Sequence, residues 1–195
     1  MEKEKRRYGG ASFEDRQSQR RDRLVRAAID VFARAGRDGA TVAAICAEAG
    51  LTARYFYESF PNRDALYLAA FRAVQDELLT QLALAIDSKD PVRSALTGFF
   101  AALATHPGPA RVFLLDPQGR VGEMQAAGRD AGMCLAQMFA PGLTSPLALA
   151  GMLGAIIQIA RNWIASDFEE PVAQVVATAL PFALASAHDA ATKKD

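Results

Sequence analysis

A chain of 195 residues, 51% hydrophobic, with 22 basic and 22 acidic side chains, is long enough to bury a real core, as one large domain or a small one joined to a larger one. Its zero net charge is unevenly spread: residues 1–65 hold 13 Lys/Arg against 10 Asp/Glu, and residues 66–195 hold 9 against 12. Two distant cysteines, Cys46 and Cys134, exclude a disulfide framework or a zinc site by spacing; small buried hydrophobes in a reducing cytosol are expected rather than a redox switch.

Residues 1–17 form a flexible arm in this reading, because up to about residue 19 Lys, Arg, Glu, Gln, Ser and Gly mix without an apolar period. The arm is either a solvated tail or a basic extension in which Lys3, Lys5, Arg6 and Arg7 reach along a groove of a polyanion. No secretory signal is expected, since no apolar segment follows this charged start. From about Gln19 to Ala35, Leu24, Ala27, Ala28, Val31 and Phe32 recur at helical spacing, which predicts a first amphipathic helix ended by Gly36 and Gly39.

The stretch Thr41 to Phe60, TVAAICAEAGLTARYFYESF, predicts two short helices meeting at a turn. Thr41 is a good N-cap for a helix burying Val42, Ile45, Cys46 and Ala49. Gly50 tolerates the left-handed conformation of the turn, and Thr52 is placed to cap the next helix. Ile45, Ala49, Leu51 and Phe56 can close a small core, with Ala43, Ala44 and Cys46 letting the helices approach. This is the outline of a helix-turn-helix, which sets its second helix in the DNA major groove; on spacing alone, two alanine-rich helices of an ordinary bundle remain an alternative. Arg54 and Arg63 then fall in first turns of helices, where a cation opposes the macrodipole, and a phosphate backbone or guanine edge is a partner that would favour them there.

These residues resemble the TetR family of bacterial regulators over roughly Arg20 to Asp76: Ala27-Ala28, Val31-Phe32, Gly36, Thr41-Val42, Ile45-Cys46, Ala49-Gly50-Leu51-Thr52, Phe56-Tyr57, Phe60-Pro61 and Arg63-Asp64-Ala65-Leu66. Cys46, Tyr55 and Arg63 depart from the residues usual there. The resemblance implies DNA contacts, mostly to the backbone, from Thr41, Thr52, Ala53, Arg54, Tyr55, Tyr57 and Arg63. It also implies a DNA-binding domain over 18–78, with its motif at 41–60, and an effector-binding and dimerisation domain over 79–195.

Beyond Phe60-Pro61 a long helix is predicted from Arg63 to about Ile86, with Leu66, Ala69, Ala70, Ala73, Val74, Glu77, Leu78, Leu82 and Ala85 along a broad face. Further helices follow at about 91–105, 109–115, 119–139, 144–166 and 169–187, separated by Pro and Gly. With no useful strand pattern, the expected fold is all-α with nine helices. The apolar run Leu147–Ala160 is short of the roughly 18–20 residues of a spanning helix, so a soluble cytoplasmic protein is expected.

Helix 144–166 is apolar on two faces, Leu147, Ala150, Gly154 and Ile157 on one and Leu149, Met152, Ile156 and Trp163 on the other. It must be buried on both, by a sister subunit or inside its own core. Gly151, Gly154 and Ala155 would admit a close helix, and Val172, Val175, Val176 and Ala179 of the last helix offer a matching face. A four-helix seam of this kind is also how the resembled family dimerises. The resemblance places a partly apolar effector among helices 63–166, where Phe99, Phe100, Phe113, Met124, Met133, Gln158, Arg161 and Trp163 are candidate contacts; Phe and Met at this spacing also suit a plain core. Arg161 needs an acidic partner, a carboxylate ligand or an exit to solvent. No catalytic constellation, cofactor motif or metal-ligand set is visible. The expected protein is therefore a non-enzymatic, effector-responsive repressor that binds a palindromic operator as a homodimer, with a small-molecule-binding helical protein or enzyme as the alternative.

Overall fold

Local capping chemistry sets most of the boundaries in the computed structural model, which describes residues 13–115 and 123–192. Thr41 Oγ1 accepts from the Ala44 amide at 3.1 Å, Asn62 Oδ1 from Ala65 at 2.8 Å, and Asp90 Oδ1 from Arg93 at 3.3 Å. Each satisfies an amide that the first helical turn leaves without a partner. Pro91 and Pro146 occupy first helical positions, where a missing N–H costs nothing.

Among the described residues there are nine helices and no strand: α1 Phe13–Gly39, α2 Val42–Ala49, α3 Ala53–Ser59, α4 Arg63–Ala85, α5 Pro91–Thr105, α6 Pro107–Leu115, α7 Glu123–Phe139, α8 Pro146–Ala165 and α9 Val172–Thr192. The all-α expectation holds. Helix α1 begins earlier than expected, so residues 13–17 are helical rather than part of an arm; Glu14 and Asp15 favour that start because acids suit a helix N-terminus. Lys3, Lys5, Arg6 and Arg7 lie outside the described residues. Gly36, at φ 67° and ψ 177°, breaks the regular part of α1 where the sequence places its end. Gly50 adopts the left-handed conformation at φ 60°, and its amide and that of Leu51 return to the Ala47 and Cys46 carbonyls.

Two cores follow the chain. The first gathers Leu24, Ala28 and Phe32 of α1, Ile45 of α2, Phe56 of α3, Phe60 and Leu66 and Tyr67 of α4, and it is completed by Met124 and Ala127 of α7. The second surrounds α5, whose Leu96, Phe99 and Phe100 are fully buried among residues of α7, α8 and α9. On α4 the inward face carries Leu66, Ala70 and Leu82 as expected, together with Tyr67, Leu68 and Phe71; Glu77 and Ala85 instead face solvent. Ala43 and Ala44 are also exposed, so the α2–α3 contact rests on Ile45, Cys46, Ala49 and Phe56.

Helix α8 is 20 residues, longer than its expected apolar run, and is long and apolar enough to cross a membrane by length and composition alone. Here it packs on α6, α7 and α9 and buries Leu149, Met152, Ile156, Trp163 and Ile164. Of the two cysteines Cys46 is buried, but Cys134 is exposed on α7, against the expectation for both.

Candidate nucleic-acid interface

Helix α3 turns one side inward and the other outward. Phe56 is fully buried, its ring edge-on to Tyr57 at 5.1 Å and tilted against Phe60 at 6.2 Å. That anchor leaves Tyr57 62% exposed and Ala53 and Arg54 in solvent, with Thr41 and Thr52 exposed at the starts of α2 and α3. Thr52 holds the N-cap position, yet its side chain makes no capping bond. Tyr55 is half-buried beneath Arg20, whose guanidinium lies 4.6 Å from the ring centre.

The two arginines singled out by placement have partners within the chain. Arg54 Nε donates to Glu58 Oε1 at 2.9 Å, one turn along the same helix, and this carboxylate raises the already high guanidinium pKa. Arg63 Nη1 donates to the Asp38 and Ala40 carbonyls at 3.5 and 3.4 Å, beyond the kink of α1. These acceptors offset the macrodipole cost, so position at a helix start does not by itself demand a polyanion. What the geometry supplies is access, since Arg54 keeps 83% of its side chain exposed and a surface ion pair of this kind is readily exchanged for another anion.

Sequence reasoning missed the arginines of α1 that brace this surface. Arg21 sits 4.1 Å over the Phe60 ring and donates to the Ser59 carbonyl at 3.4 Å, and Arg23 donates to the Ala49 carbonyl at 2.6 Å. Arg37 stacks on Tyr67 at 4.6 Å and pairs with Asp64 at 3.1 Å. The available signal was the cluster Arg20, Arg21 and Arg23 at the start of the apolar stripe.

Beyond this surface lies a cavity of about 590 Å³ between α4, α5, α6, α7 and α8. Phe99, Met124, Met133 and Arg161, four of the candidate contacts, line it. Three candidates do not. Phe100 packs edge-on against Phe99 and Trp163 in the core, Trp163 Nε1 donates to the Glu170 carbonyl at 2.9 Å, and Gln158 points outward to donate to Asn162 Oδ1 at 2.8 Å. The Phe113 side chain lies outside the described residues. The missed wall is α4, where Tyr67, Phe71, Val74, Gln75, Leu78 and Leu79 form one stripe along the cavity; their spacing was visible, but their common orientation was not.

The outward side of α8 carries Leu147, 86% exposed, followed by exposed Ala150, Gly151 and Gly154, and a Cβ built at either glycine meets nothing within 4 Å. Ile157 is half-buried, and both it and Ala150 line the cavity. On α9 the expected seam residues are turned inward: Val175, Val176 and Ala179 are buried in the second core, with Val172 packed against it. Phe182 and Leu184 are the large apolar residues that α9 exposes.

Residues 24–70, the segment that builds the first core and the α2–α3 motif, match the family described as bacterial regulatory proteins, tetR family. Residues 24–70 thus form a domain similar to that of the TetR family. A domain of that kind supports DNA binding and transcriptional regulation. A tetR-family regulator from Streptomyces coelicolor has a similar fold, with a TM-score of 0.73 at 18% identity over 90% of this chain and 83% of that one. The regulator FadR from Bacillus subtilis, in complex with stearoyl-CoA, gives 0.68 at 17% identity over 85% and 98% of the two chains. The fatty acid degradation regulator FadR from Bacillus halodurans gives 0.66 at 20% identity over 84% and 97%. At these identities the likeness establishes the TetR-like fold. No curated protein matches the chain as a relative.

Proposed function

We propose that this protein is a TetR-family regulator, a non-enzymatic, ligand-responsive repressor of the cytoplasm that binds a palindromic operator as a homodimer. The observation that carries this reading is the side-chain division on α3: Phe56 locks the helix to its core while Arg54 and Tyr57 stand in solvent. Thr41, Tyr57 and Arg63 are assigned to the phosphate backbone. Thr52, Ala53, Arg54 and Tyr55 are assigned to the groove, where contacts to base edges carry sequence preference. In this reading the head spans residues 18–78 and the effector and dimerisation part spans 79–195.

The dimer seam proposed is the outward stripe of α8, from Leu147 through Gly154, beside Phe182 and Leu184 of α9. Pairing it with a second copy would remove apolar surface from water and set two heads at a fixed separation. Effector response is assigned to the cavity, whose walls include Tyr67, Phe71 and Met124, residues that also belong to the core beneath the head. The stearoyl-CoA held by the FadR of Bacillus subtilis supports a partly apolar small molecule as the occupant. A ligand that binds better to one separation of the heads than to another shifts DNA affinity by that difference.

Selection of bound duplexes from a random pool tests the reading. The expected product is an inverted repeat whose half-sites lie about one helical turn, ~34–36 Å, or a small multiple apart. Enrichment of a single unsymmetrical site, or of none, would overturn it.

A further inference from the structure

Helix α3 carries two charges that its own stability does not explain. Arg54 stands in the first turn and Glu58 in the last turn of a helix running Ala53–Ser59, so each is at the end that the macrodipole disfavours. Their order is also the weaker one for neighbours one turn apart, which gain more with the acid on the N-terminal side. Yet the two side chains join: Arg54 Nε donates to Glu58 Oε1 at 2.9 Å, with 83% and 38% of the side chains exposed. The helix beneath them is held in place. Phe56 is fully buried, Arg20 lies over the Tyr55 ring at 4.6 Å, and Arg21 donates to the Ser59 carbonyl at 3.4 Å.

The bond to Glu58 takes Nε alone and leaves the Nη1–Nη2 edge of the guanidinium, four N–H bonds in one plane. Such an edge can fork onto O6 and N7 of guanine in the major groove. A phosphate would compete with the carboxylate for the same cation, whereas a guanine edge is neutral and takes up donors that the carboxylate does not use. The joined pair carries no net charge, so it gains little from the counterion release that drives phosphate contacts.

We infer that Glu58 is a positioning residue for base recognition, holding Arg54 so that its Nη edge meets a guanine and not the backbone. This rests on the assignment of Arg54 to the groove. Ordering the arginine before it meets DNA spares the cost of immobilising a flexible side chain, about 2- to 10-fold in affinity for the guanine-bearing site. The carboxylate meanwhile repels phosphates, which lowers affinity for every other sequence.

Selection from one random duplex pool by four proteins tests the inference: the unsubstituted chain, Arg54→Ala, Glu58→Ala and the double variant. The unsubstituted chain should favour guanine at one base pair of each half-site by about 10- to 100-fold, and Arg54→Ala should abolish that preference. Glu58→Ala should cut it by about 2- to 10-fold. In competition binding the same variant should hold all sequences more tightly, with a salt slope steeper by about one, as the released arginine turns to a phosphate. Glu58→Gln, whose amide oxygen can still accept from Nε, should keep part of the preference. With Arg54 already replaced, loss of Glu58 should change no base preference. Uniform weakening by Glu58→Ala with the guanine preference kept, or a preference lost at another base pair whether or not Arg54 is present, would overturn the inference. If Arg54→Ala alters no preference at any base pair, the groove assignment fails and the inference with it; if Arg54→Ala does so and Glu58→Ala does not, the inference alone fails.

Discussion

Replacing Gly151 and Gly154 with glutamate isolates the α8 surface from the stability of the chain that bears it. Within one subunit a Cβ at either position meets nothing within 4 Å, so no clash or cavity is created. Removing two glycines from the interior of a helix instead favours folding by about 0.5 kcal/mol each, given the helix propensities of Gly and Glu. In a two-fold dimer the same patch faces itself, and the variant would confront four carboxylates across one seam. Desolvating each carboxylate costs several kcal/mol; a net loss of only about 4 kcal/mol weakens association roughly a thousandfold. Sedimentation equilibrium should therefore report twice 20.9 kDa for the unsubstituted chain and the single mass for the variant. Circular dichroism should remain that of a folded helical protein while affinity for a two-half-site operator collapses. A variant that keeps the double mass and full operator binding would refute the seam.

Three further outcomes are expected. In competition binding at fixed salt, Arg63→Ala should weaken binding to all sequences and lower the salt slope by about one, whereas Arg54→Ala should alter preference at one base pair; equal losses on every sequence from both would remove that division. Gly50→Ala should destabilise the head by about 1–2 kcal/mol in thermal unfolding, because a non-glycine residue pays that steric penalty in the left-handed region and the new Cβ would lie 3.1 Å from Arg23 Nη2. Burial pushes the Cys46 thiol up from its ordinary range, so its thiolate is scarcer than usual at neutral pH. Iodoacetamide on the folded protein should modify exposed Cys134 and spare Cys46, with Cys46 reacting only after denaturation or at higher pH; equal labelling of both near neutrality would contradict that burial.

The helix boundaries were legible because their causes are local. Thr41, Asn62 and Asp90 each cap a helix through an amide three residues away, and Gly50 turns where a left-handed residue is needed. The start of α1 was hidden because residues 13–17 carry no apolar period to mark it. The rotation of a helix that is apolar nearly all round was equally hidden. On α9 Val175 and Val176 are buried while Phe182 and Leu184 are exposed, a division that packing against α5 and α8 decides and helical spacing alone does not. The same ambiguity separated Arg161, which lines the cavity, from Gln158 and Trp163 on the same helix. At the DNA-facing surface the exposed positions of α3 followed from the anchor Phe56, while the bracing by Arg20, Arg21 and Arg23 depends on contacts between α1 and segments far along the chain.

Because Tyr67, Phe71 and Met124 serve both the cavity wall and the core beneath the reading surface, the two ends of the cavity differ in how freely they can diverge. Near Pro146, Leu149 and Leu153, changes of shape alter which molecule fits while leaving the head alone. Near Tyr67, whose ring meets Phe32 of α1 edge-on at 4.7 Å, every change of occupant or of side chain is felt by the first helix as well. Relatives adapting to new signals should accumulate their differences at the first end and keep the second nearly constant.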